Sequence, residues 1–207
     1  MKFVLFAEGK TEKSVLNEFL KRWLDARLET KVGIQLVKFD GWRELVKKTP
    51  KKAELYLTET DVIGVIALLD LYGPDFYPSN LDNADKKYEW AKKALEKKVE
   101  HANFRQFFAV HETEAWLLSD SKIFPQEIRS EKDLFSKKPE DVNSDYPPAK
   151  RLDSLYEKHF RKGYKKITYG SQLFKKLDPE KAYSKCPHFK EMMDEMLEMA
   201  KTAIESA

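Results

Sequence analysis

The sequence predicts an α/β fold: a mostly parallel sheet of about four strands flanked by helices, with a helical C-terminal part. Three observations predict it. Short apolar runs alternate with helix-period stretches through the first half of the chain, as in successive strand–helix units. Those runs carry almost no polar residue, which suits strands covered on both faces. Past about residue 120, strand-like runs give way to short helical ones and a final amphipathic helix.

The first strand is Phe3-Val4-Leu5-Phe6-Ala7. Glu8-Gly9-Lys10-Thr11-Glu12 follows and leads into a helix with Val15, Leu16, Phe19, Leu20, Trp23 and Leu24 on one stripe. Gly33 to Phe39 reads as the second strand. A helical stretch begins near Gly41, with Thr49-Pro50 expected as N-cap and first residue of its second half. Val62 to Leu69 (VIGVIALL) is the clearest buried strand. A Gly/Pro/Asp loop, a charged helix from about Asp82 and a fourth strand at Phe104 to Val110 complete a βαβαβαβ order. His111 to Leu118 reads as a short helix, Ser119 to Tyr146 as a stretch rich in Ser, Lys, Pro and Asp, and His188 to Ile204 as an amphipathic helix. The expected organisation is an α/β domain over residues 1–120 and a helical extension over 121–207 packed on the same core.

Composition sets the broad class. With 207 residues, 42% hydrophobic and 35% charged, the chain is long and apolar enough for one sizeable core and is not disordered. No apolar run approaches the roughly 20 residues of a membrane span. The first strand begins within two residues of the start, leaving no room for a signal peptide. A single cysteine, Cys186, excludes a disulfide framework and a cysteine-based zinc site. A cytoplasmic protein is expected. Lys+Arg 38 against Asp+Glu 35 gives a net charge of +3, which neither demands nor excludes nucleic acid.

Acidic residues fall where such a sheet binds ligands, beyond the C-terminal strand ends. Glu8 ends the first strand, Asp70 the third, and Glu112 and Glu114 follow the fourth. Carboxylates brought to one edge repel unless a cation sits between them. Mg²⁺ or Mn²⁺, which prefer oxygen ligands, are the natural cations, and they activate water for attack on a phosphate. Beside this stands the plainer reading that a carboxylate after a strand is a helix cap or a solvated loop residue. Glu12 would equally favour the dipole of the first helix. His111, between the fourth strand and two glutamates, is a candidate ligand or acid/base, or a structural histidine at a helix start.

Two motifs fail. Gly9-Lys10-Thr11 resembles the end of a phosphate-binding P-loop, but the required upstream glycine is absent, since Val4 and Leu5 stand there. His111-Glu112-Thr113-Glu114-Ala115 starts like a zinc-protease motif but lacks its second histidine. The basic segment from Lys150 to Lys166 interleaves Tyr156, Phe160 and Tyr164. It reads either as a track for a phosphate backbone with stacking aromatics or as a solvated face over core rings.

Glu8-Gly-Lys-Thr-Glu12 resembles the EGxTE opening of Toprim-like proteins, the fold shared by primases, type II topoisomerases and OLD-type nucleases. More closely, the chain resembles the domain of unknown function 4276 family. EGKTE at 8–12, LLDLYGPDFYP at 68–78, HETEAWLLSD at 111–120, and PPAKRL with a later CPHF at 147–152 and 186–189 carry that likeness. The resemblance implies a Toprim-like sheet and a divalent-metal-dependent nuclease or phosphotransfer site. It also implies partnership with an ABC-type ATPase in anti-phage defence. By it, Glu8 is an acid/base or metal ligand, Asp70 a metal ligand, Glu12 the second glutamate of the OLD-type variant, and Glu112 and Glu114 the family's own acidic block. Toprim proteins carry Asp-x-Asp after the third strand. This chain has Asp70-Leu71-Tyr72, with Asp75 or Glu114 as the substitutes at hand.

Three expectations follow. The first is a Mg²⁺- or Mn²⁺-dependent nuclease cutting DNA or RNA, with catalytic Glu8, Glu12 and Asp70. Its metal ligands are Glu8, Asp70, Glu112 and Glu114, and Lys10, His111, Lys150 and Arg151 bind substrate. The second is a non-catalytic module that binds nucleic acid or a partner through a degraded Toprim site. The third is a phosphohydrolase acting on small phosphoesters.

Overall fold

A computed structural model describes residues 1–8, 13–136, 138–141 and 146–207. Four strands form one sheet: β1 (Lys2–Glu8), β2 (Gly33–Phe39), β3 (Val62–Asp70) and β4 (Phe104–Ala109). Every pairing is parallel, in the order β2-β1-β3-β4. The apolar runs become strands for the reason the sequence gives. Phe3 to Phe6 and Val65 to Ala67 are fully buried, so both faces of β1 and β3 are covered.

The helices are α1 (Lys13–Asp25), α2 (Trp42–Leu57), α3 (Ala84–Glu96), α4 (Glu114–Leu117), α5 (Gln126–Arg129), α6 (Lys132–Ser136), α7 (Pro148–Phe160), α8 (Ser171–Lys176), α9 (Pro179–Lys185) and α10 (Pro187–Glu205). One turn of π-helix spans Lys166–Gly170. The expected break at Thr49-Pro50 is not there: both residues lie inside the continuous α2. Pro50 lacks the N–H for the carbonyl four residues back. Burial of Leu45, Thr49 and Ala53 against the sheet carries the helix past it. The helix read at His111 to Leu118 is shorter, starting at Glu114.

The C-terminal helices complete one core. Trp116 of α4 packs its ring 4.6 Å from Phe189 of α10 and 6.4 Å from Phe19 of α1. The buried Glu140 carboxylate accepts from the backbone N–H groups of His188 (3.0 Å) and Phe189 (3.3 Å), satisfying two donors in the first turn of α10.

Topology fixes where a ligand site belongs. Ala7 is level with Leu68, so Glu8 and Asp70 emerge at the same edge on neighbouring strands. From β1 the chain turns outward to β2. From β3 it turns the other way to β4. Right-handed crossovers therefore send the connections after β1 and β3 to opposite faces of the sheet. The crevice between these two strand ends is the topological switch point, where open parallel sheets bind ligands.

Candidate functional site

The carboxylates that the sequence places at strand ends do gather at this crevice. A small cavity of about 40 Å³ is lined by Glu8, Asp70 and Thr113, with Leu16 and Phe174 among its apolar walls. That volume admits a single water or small ion. Asp70 Oδ1 accepts from the Thr113 N–H at 3.0 Å, tying the end of β3 to the segment entering α4. Glu112 Oε2 accepts from the Ala149 N–H at 2.9 Å, so the acidic block after β4 meets the first turn of α7.

A lysine stands among them. Lys166 Nζ donates to Glu114 Oε2 at 2.9 Å and reaches Glu112 Oε1 at 3.4 Å. Glu112 and Glu114 are both buried, Glu114 almost completely. Burial pushes the Asp70 carboxyl well above the usual carboxylate range. The nearby Lys166 opposes this, while Glu114, Glu112 and Glu8 push the same way. Burial draws the Lys166 ammonium down, but Glu114, Asp70 and Glu112 outweigh it and hold it above an ordinary lysine. The group is one electrostatic unit, in which Asp70, Glu112 and Glu114 act on one ammonium and Glu8 acts on Asp70.

Two tyrosines and a histidine border the unit. Tyr77 donates to the Leu71 carbonyl at 2.9 Å, and burial with the charges of Asp70 and Glu8 raises its phenol. His111 is buried and lines a cavity of about 400 Å³ with Tyr72, Tyr77 and Lys87. Burial lowers its imidazole pKa against the pull of Glu112, so the ring is neutral at pH 7. Lys150 donates to the Tyr72 hydroxyl at 3.2 Å and lies 5.5 Å from the ring centroid. It therefore reaches the residue two positions after Asp70. Arg151 is half-buried on α7. Asp75 is not drawn in: it is exposed and paired with Arg43 at 2.5 Å. Lys10 and Glu12 lie outside the described residues.

The donors fit a hard divalent cation in kind, being carboxylate oxygens beside a cavity of suitable size. In placement, Lys166 is the cation that two of them already meet. Among the described residues no group of three His, Cys, Asp or Glu side chains is arranged to hold a metal ion. Lys166 is the residue that sequence reasoning passed over. It appeared only as the end of a basic run, and nothing in local spacing joins it to Glu114, 52 residues earlier. Of the aromatics in that run, Tyr156 and Tyr164 are buried in a ring cluster with Tyr169, at 5.0 Å and 6.5 Å from it. They are not open stacking platforms.

Among the described residues, no helix is long and apolar enough to cross a membrane. The profile of the family described as Domain of unknown function (DUF4276) matches residues 7–197, and the chain belongs to that family. No curated protein and no solved structure matches the chain.

Proposed function

We propose that this member of the DUF4276 family is a Mg²⁺- or Mn²⁺-dependent phosphodiester hydrolase, a nuclease with a Toprim-like carboxylate site at the β1–β3 switch point. The observation that carries the reading is the gathering of Asp70, Glu112 and Glu114 around Lys166, with Asp70 held hard to ionise beside Glu8. Such frustrated carboxylates mark sites that take up positive charge on binding. Glu8, Asp70, Glu112 and Glu114 would hold the ion by turning toward it in place of Lys166. When bound, it supplies positive charge at a phosphoryl oxygen and a more acidic water. Glu8, beside the cavity, would take the proton of an attacking water, and Lys166 and Lys150 would offer point charges to phosphate oxygens. The EGKTE opening at 8–12, with Glu12 as its second glutamate, supports kinship with OLD-type proteins. That kinship supports a cytoplasmic role in anti-phage defence with a partner ATPase.

A second reading is favoured by two features. Tyr72 replaces the second Toprim aspartate, and an ammonium already neutralises two carboxylates. On that reading the site is a non-catalytic nucleic-acid- or partner-binding module. Incubating the protein with single-stranded, linear and supercoiled DNA and with RNA, in Mg²⁺ or Mn²⁺, separates the two. Metal-dependent cutting, lost in a folded Asp70→Asn variant, supports the hydrolase. Its absence from well-folded protein and from protein plus ATPase supports the module.

A further inference from the structure

A second hollow is lined in part by the segment that carries Lys166. It has a volume of about 580 Å³ and is bounded by α7, the π-helical turn, α8 and the segment after α4. The half-buried Phe160 and Tyr169 line it, over the buried Phe124 and Tyr156. Lys122, Lys162 and Lys176 stand around it, all exposed. No Asp or Glu lines it, and among the described residues none of the three lysines has an ion-pair partner.

The two places are joined by the chain itself. Lys166 opens the π-helical turn with its ammonium among the carboxylates, and Tyr169, three residues on, lines the hollow. The turn closes through the Tyr169 and Gly170 N–H groups, both donating to the Lys165 carbonyl, at 2.8 Å and 3.4 Å. Single turns of this kind cluster at functional sites, because the extra residue re-aims its neighbours. Here the turn points one side chain at the acidic site and another at the aromatic hollow.

We infer that this hollow receives an unstacked base of a single-stranded nucleic acid, whose flanking phosphates lie on Lys122, Lys162 and Lys176. The inference rests on the nuclease reading and specifies its substrate class. The chemistry is that of sequence-tolerant strand binding: every base has a face that stacks on an aromatic ring, and lysines track the backbone. A paired base cannot leave its stack to enter without melting the duplex, so single strands are favoured.

The test is fluorescence anisotropy with a labelled oligothymidylate of about a dozen nucleotides, in EDTA, at roughly 50 and 200 mM salt. The wild type is expected to bind it at least about tenfold more tightly than a duplex of equal length. Combined Lys122→Glu, Lys162→Glu and Lys176→Glu is expected to weaken binding at least about tenfold and to flatten the salt dependence. These lysines are exposed, so the variant keeps its melting temperature. Tyr169→Leu, which preserves apolar volume, is expected to lose about fivefold or more. No binding, equal duplex binding, variants that bind as wild type, or equally effective displacement by polyglutamate would each overturn the inference. Binding without cleavage in Mg²⁺ removes the hydrolase and leaves the strand site. Cleavage unaffected by the three reversals removes the strand site and leaves the hydrolase.

Discussion

Lys166 places its ammonium 2.9 Å from Glu114, a carboxylate 52 residues earlier in the chain and almost fully buried. The contact joins the helical C-terminal part to the end of the sheet. It sets an internal cation where the sequence leads one to expect a metal.

Removing that cation leaves Glu114, Glu112 and Asp70 facing one another. Lys166→Met is expected to destabilise the fold toward the low end of the roughly 3–5 kcal/mol seen when one partner of a buried pair is lost, because the lysine is about one-third exposed. Mn²⁺ should then raise the melting temperature of the variant more than that of the wild type, because the ion replaces the missing charge. Thermal melts with and without Mn²⁺ check both expectations.

Asp70 gives the opposite sign. Its folded pKa is raised, so its protonated form favours folding at low pH and that stability is lost as pH rises through the folded value. Asp70→Asn keeps an acceptor for the Thr113 N–H and carries no charge. At pH 7 it is expected to be more stable than wild type by about 1 kcal/mol, or roughly 2–4 °C. The advantage should shrink as pH falls toward the carboxylate range.

The seam between α3 and α10 has its own pH window. Glu191 accepts from Tyr88 at 2.9 Å and pairs with Lys92 and His188. The His188 contact above all, with Lys92 and Tyr88, lowers its pKa to about 2. Its contribution is present above the ordinary glutamate range and is lost as pH falls toward 2. Glu191→Gln is expected to cost about 1 kcal/mol near neutrality, the exposure of the pair limiting the loss. The cost should vanish in acid unfolding curves near pH 2.

Gly64 of β3 tests the docking of α10 on the sheet. A Cβ there would press on Met199 and lie 2.8 Å from the Asn103 carbonyl oxygen. The backbone oxygen cannot swing aside as a side chain can. Gly64→Ala is expected to destabilise by about 1–3 kcal/mol, measured by denaturant unfolding.

The sheet was legible because its strands are almost wholly apolar: Val62 to Leu69 has one reading once both faces must be covered. Glu8 and Asp70 were legible as neighbours because parallel topology brings strand ends to one edge. The fate of Thr49-Pro50 was not, since turn chemistry spoke for a boundary and packing against the sheet overrode it. Lys166 was hidden for a different reason. Its partners are non-local, and a lysine in a Lys-rich segment carries no mark of the one carboxylate it will meet. Tyr156 and Tyr164 show the same limit, because alternation of basic and aromatic residues does not say which rings turn inward.

The most direct measurement is Mn²⁺ binding by isothermal titration calorimetry, on wild type and on folded Asp70→Asn and Glu114→Gln variants. The expected result is a saturable site in the wild type, weakened at least about tenfold by either change, as loss of one ligand does. Absence of saturable binding, or equal affinity in all three proteins, would contradict a divalent-cation site at this edge of the sheet.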